Sequence, residues 1–155
     1  MALNAEDIVE IKKTWAIPVA TPTDSGAAIL IRFFTKYPSN LEKFPFRDIP
    51  VTELHNSARF RAHCGRIIKT FDQSISQLEE EGGLEKIQEI WEGLAKSHVE
   101  RHNIAKPSYL ELREAIVEVL SEACNLNERQ AQAWNKLLDI VYDIIFKKYD
   151  DLGAQ

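Results

Sequence analysis

Glycine and proline are scarce, only 12 of 155 residues together, and five of the six prolines (Pro18, Pro22, Pro38, Pro45, Pro50) fall in the first third. A chain so short of breakers is not built from tight turns and short strands, and its last two thirds are free to form long helices. Cysteine is limited to Cys64 and Cys124, in no close pair, which excludes a disulfide scaffold and a CxxC metal or redox motif and is expected of a cytoplasmic protein with free thiols. Basic residues are outnumbered 19 to 24, so no positive field recruits nucleic acid. No wholly apolar run exceeds the few residues around Ala27–Ile31, far short of the roughly 20 that cross a bilayer. The acidic start, Met1 to Asp7, does not read as a secretory leader. Glycine-rich phosphate loops, HExxH and GxSxG are absent, which removes the common nucleotide and hydrolase signatures.

What remains is helical periodicity over residues 1–155, read as one domain. Asn4 and Asp7 cap a first helix carrying Ile8, Ile11 and Trp15, whose pattern Pro18 disturbs. A second restarts at Thr23 and Asp24, carries Ala27, Leu30, Ile31 and Phe34, and yields to a short turn after Pro38. From Leu41 to Asn56 the pattern breaks into a corner holding Phe44 and Phe46, with His55 exposed. Phe60, Cys64, Ile67, Phe71, Ile75 and Leu78 then mark a long amphipathic helix, closed by an exposed loop over Glu79–Gly83. Leu84, Ile87, Trp91, Leu94 and His98 mark the next, followed by a loop from Glu100 to Lys106. Pro107 and Ser108 open a helix with Leu112, Ile116, Val119 and Leu120 inside, Asn125–Asn127 ends it, and a final helix carries Ala131, Trp134, Leu138, Val141, Ile145 and Tyr149. No strand alternation or fixed-period repeat occurs, so the fold class is all-α.

Two histidines lie on these apolar stripes, His63 and His98. A single histidine so placed reads as a hydrogen-bonded core residue; two on different helices point towards ligation. Imidazole suits iron, but two ligands make a poor cage for a bare ion. A planar macrocycle filling the other positions, as haem does, removes that objection.

In order along the chain, Tyr37–Phe44, Arg61–Ala–His–Cys–Gly65, Leu94–Ala–Lys–Ser–His98 with His102, and Lys147–Gly153 resemble the corresponding segments of the animal globins. More narrowly, Lys12–Trp15 through Pro18 to Phe34, with Phe44–Asp48, is similar to the intracellular haemoglobins of insects. The 35 positions separating the two histidines exceed the spacing of vertebrate myoglobin, and the Glu79–Gly83 loop is the natural place for the extra residues.

The resemblance implies a globin fold of six to eight helices around haem b, reversible O2 binding for transport or storage, and CO and NO as further ligands. It makes His98 the proximal iron ligand, oriented through a helix carbonyl or the Ser97 hydroxyl, and His63 the distal residue, donating to O2 or itself taking the sixth position. Phe44 packs on the ring, Ile67 lines the distal side, and Leu94 lies beneath. Arg66 and His102 are partners for the propionates, and Ile104, Leu110 and Tyr142 are wall candidates. Cys64, about 100° around the helix from His63, is a packed thiol. The alternatives are nitric oxide or peroxide turnover with a reductase partner, and a gas or redox sensor; the chain is expected to be a monomer or a homodimer.

Overall fold

In a computed structural model, residues 3–155 are described, and among them six α-helices, two 3-10 segments and one π-helical turn are joined without a strand. Helix α1 (Ala5–Val19) opens on a reciprocal cap, Asn4 accepting from the Asp7 amide at 2.8 Å while the Asp7 carboxylate accepts from the Asn4 amide at 3.0 Å. The helix runs through Pro18 to Val19. Proline has no N–H to give the Thr14 carbonyl, which accepts instead from the Cys124 thiol at 3.5 Å. Helix α2 (Pro22–Lys36) begins at Pro22 itself, one residue before the expected restart, because proline suits a first helical turn.

The corner folds as 3-10 segments at Pro38–Lys43 and Val51–Asn56, with Phe44 and Phe46 stacked between them at 5.2 Å. Helix α3 (Ala58–Ser76), capped by Ser57, buries Phe60, Cys64, Ile68, Phe71 and Ile75. Its backbone crosses α2 so closely that a Cβ on Gly26 would stand 2.2 Å from the Cys64 carbonyl oxygen.

Helix α4 (Gly83–Ser97) follows Gly82, whose φ of 71° favours glycine, and buries Ile87, Trp91 and Ala95. Leu84 points outward, 69% exposed, because it precedes that stripe. The expected loop from Glu100 is instead a π-helical turn, His98–His102, ended by Asn103 at φ 51°. Helices α5 (Lys106–Cys124) and α6 (Glu128–Asp151) meet at Asn125, φ 50°, and at the Asn127–Gln130 capping box. Trp15, Phe71 and Trp134 knit α1, α3 and α6 together, with the Trp134 indole donating to Thr14 at 2.8 Å. No described helix is long and apolar enough to cross a membrane.

Candidate functional site

Helix α3 has two apolar lines rather than one. Phe60, Cys64, Ile68 and Phe71 are buried in the core, while His63 and Ile67, one residue back at each turn, are half-buried along a second line. The same division occurs along α4 and the turn after it, where Trp91 and Ala95 are buried and Leu94 and His98 are half-buried. Each half-buried line carries one of the two histidines.

Phe44 meets His63 edge-on with ring centres 5.2 Å apart, and Phe46 stands behind at 6.1 Å. Desolvation holds the His63 imidazole down to about pH 4, with Arg66 and His102 adding positive charge nearby. Desolvation does the same to His98, again to about 4, with His102 and His63 contributing. Both rings are therefore neutral at physiological pH, with a lone pair available to a metal. Among the described residues, His63 makes no side-chain hydrogen bond, so neither of its ring nitrogens is committed.

His98 is committed on one side. Its Nδ1 lies 2.5 Å from the Tyr109 hydroxyl, which stands where a helix carbonyl or Ser97 was expected. The His98 carbonyl accepts from the Asn103 amide, closing the π-helical turn, and also from the Ile104 amide at 3.1 Å, and the His98 and His102 ring centres are 5.8 Å apart.

The structure places Phe44 against His63 and Ile104 against His98, leaves Ile67 and Leu94 half-buried one turn from those histidines, and leaves Arg66 and His102 exposed. Leu110 is corrected: it is 55% exposed and cannot be a wall. Tyr142 is buried, but behind the site, donating to the Tyr109 carbonyl at 2.7 Å. The residue missed was Tyr109. Its signal was present, since it lies three before Leu112 and seven before Ile116, on the buried line of α5, whereas Leu110 is off that line by a quarter turn.

Cys64 is wholly buried, and burial pushes its thiol up to about 12, so it offers no thiolate to rival His63. A separate cavity of about 210 Å3, walled by Trp15, Ile29, Ile68, Phe71, Ile116 and Trp134, borders the core side of α3 and touches neither histidine. The described residues contain no cluster of three or more His, Cys, Asp or Glu able to hold a metal ion. Two neutral imidazoles on separate helical segments, one of them packed by Phe44 and Phe46, instead have the chemistry to hold a metal whose other positions an organic ring fills.

Comparison with known proteins agrees with that geometry. The globin family model matches residues 27–145. A globin of Drosophila melanogaster, whose structure is described as that of a hexa-coordinate haemoglobin, is 57% identical with a TM-score of 0.91, the match covering 94% of each chain. Haemoglobin of the botfly Gasterophilus intestinalis is 38% identical with a TM-score of 0.85, over 94% of this chain and 98% of that one. Cytoglobin-1 of Danio rerio is 29% identical over 98% of this chain and 88% of its own length. The insect character read from the first helices is borne out by the first two.

Proposed function

Because this chain belongs to the globin family, we propose that it holds haem b between α3 and the π-helical turn and binds O2 there reversibly, for oxygen storage or transport in the cytoplasm. The observation that carries this reading is the pair of neutral, half-buried imidazoles on separate helical segments, His98 with one nitrogen engaged and His63 with none. Haem would be held through its iron by His98 and would supply a metal able to bind O2, CO or NO reversibly.

The chain's own residues do the rest. His98 presents its Nε2 lone pair while Nδ1 is held by Tyr109. Phe44, Ile67 and Leu94, half-buried against the core, would offer haem an apolar surface and keep water from it. Arg66 and His102, exposed at the rim, supply positive or hydrogen-bonding partners for propionates. His63, held only by ring contacts with Phe44 and Phe46, is free to present either an N–H to a diatomic ligand or a lone pair to the metal.

The second of these states is the resting one in this reading. It is supported by the uncommitted His63 ring and by the hexa-coordinate haemoglobin that shares 57% of the sequence. A gas must then compete with His63, and its apparent affinity falls by the fraction of molecules in which the ring has withdrawn. This reading is of a binding protein; turnover of nitric oxide or peroxide would require a reductase to return electrons.

The test is an anaerobic visible spectrum of the dithionite-reduced protein, before and after CO, for wild type and His63→Leu. Sharp, split bands in wild type and one broad band in the variant are expected, with faster CO binding in the variant. A broad band in wild type would overturn internal ligation by His63. Absence of a Soret band from protein expressed with ample haem would overturn the haem reading itself.

A further inference from the structure

Tyr109 and Tyr149 are buried at the centre of an aromatic cluster on the His98 side of the site. The Tyr109 ring lies 5.7 Å from His98 and makes edge contacts with Tyr142, Phe146 and Tyr149 at 6.2, 6.1 and 5.6 Å, so its hydroxyl has little freedom to turn away. That hydroxyl is 2.5 Å from His98 Nδ1 and 3.4 Å from the Tyr149 hydroxyl. The Tyr149 hydroxyl donates to the Ile104 carbonyl at 2.6 Å, and the Ile104 amide donates back to the His98 carbonyl at 3.1 Å.

The Ile104 carbonyl only accepts, so the Tyr149 hydroxyl gives its proton there, and its longer 3.4 Å contact also runs from Tyr149 towards the Tyr109 oxygen. An imidazole that gives its Nε2 lone pair to iron carries its one hydrogen on Nδ1, and the Tyr109 oxygen stands within reach to accept it.

We propose that Tyr109, backed by Tyr149, is the positioning residue that fixes the tautomer and ring plane of His98 and sets how strongly His98 donates to iron; this rests on the haem reading above. The Tyr109 hydroxyl is buried among these rings, away from any base but His98, and meets it as a phenol. A neutral phenol oxygen draws the Nδ1 proton less than a carboxylate would, and the ligand stays an imidazole of moderate donor strength. The circuit is also anchored to the C-terminal end, because the Tyr149 carbonyl accepts from Ala154 at 2.8 Å and the Lys106 amide donates to Gln155 at 3.0 Å.

The experiment compares Tyr109→Phe, Tyr149→Phe and Tyr142→Phe in the haem-loaded protein. Two readouts are used: the exchange rate of the His98 Nδ1 proton in the ferric cyanide complex by NMR, and the iron–histidine stretching frequency just after CO photolysis. Tyr109→Phe should speed exchange roughly three- to tenfold, the loss of one hydrogen bond, and lower the stretching frequency. Tyr149→Phe should do both to a smaller extent. Tyr142→Phe removes a buried hydroxyl outside the circuit and should move neither.

Unchanged exchange and frequency in a folded Tyr109→Phe would overturn the proposal while leaving haem binding intact. If that variant fails to fold, Tyr149→Phe decides on the same two readouts. Were wild type to take up no haem, the functional reading would fail separately, and 15N shifts of the His98 ring would then decide the tautomer: protonation at Nδ1 supports the circuit, protonation at Nε2 overturns it.

Discussion

Asp7 shows how one side chain can be plain in role and hidden in partnership. Its capping position was legible from Asn4, three residues earlier, because a cap is a local device. Its other partners are Arg129 at 2.7 Å and Lys136 at 3.1 Å, more than a hundred residues away, and no local pattern announces them. The Asn4 amide, then Arg129 and Lys136, outweigh burial and lower its carboxyl to about 2. A carboxyl whose folded pKa is depressed stabilises the fold above its unfolded value, near 3.8, and that contribution drains away as pH falls from 3.8 to about 2. Asp7→Asn should therefore be less stable than wild type at neutral pH and should lose less on acidification. Urea midpoints measured from pH 6 to pH 2 should converge at the acid end; parallel curves would show that the charge of Asp7 is not what α1 and α6 share.

Among the elements, the long helices were readable because each buries a stripe, and a stripe is written in the sequence at the helical period. The reading blurred where two stripes adjoin. On α3 a single line through Phe60, Cys64, Ile67 and Phe71 merged a core position, Ile68, with a site position, Ile67, since both satisfy the spacing within a third of a turn. The π-helical turn at His98–His102 was not readable at all: its wider backbone repeat is the Asn103-to-His98 hydrogen bond, accompanied by the packing of His98 on Tyr109, and neither leaves a periodic trace. The register of the distal wall depends on another element-scale contact, the crossing of α2 over α3 at Gly26. Any Cβ there meets the Cys64 carbonyl at 2.2 Å, backbone against backbone, so no rotamer change relieves it and the helices must separate. Gly26→Ala should cost roughly 1–3 kcal/mol in urea unfolding. Because Cys64 adjoins His63, it should also alter the visible spectrum of the reduced protein. Gly93→Ala is the control: nothing lies within 4 Å of its added methyl, and in mid-helix it should stabilise by about 0.5–1 kcal/mol. Equal effects at the two glycines would show that the crossing is looser than its geometry.

For the molecule as a whole, two kinds of interaction join the N-terminal helices α1 and α2 to the C-terminal half, and they differ in kind as well as size. On the surface, Arg32 binds Glu122 through two hydrogen bonds of 2.7 and 2.6 Å, and Lys36 binds both Glu114 and Glu118 at 2.6 Å. These side chains remain substantially open to water, where ion pairs gain little over solvation and salt screens them. Inside, Trp134 is 2% exposed, packs its ring 5.7 Å from Trp15, and satisfies its indole on Thr14, so its contribution depends on packing that salt does not touch. The all-α architecture was legible for this reason: it is specified by where apolar residues recur, whereas the surface pairings are permitted by the fold rather than the cause of it. Glu118→Gln, which removes the negative charge shared by Arg32 and Lys36, should lower the urea midpoint only slightly, and 1 M sodium chloride should erase the difference from wild type. Trp134→Ala should cost about 3–5 kcal/mol at either ionic strength. A Glu118→Gln loss that persisted in high salt would mean that the network is shielded from solvent and helps to hold α2, and through Gly26 the His63 wall, in register.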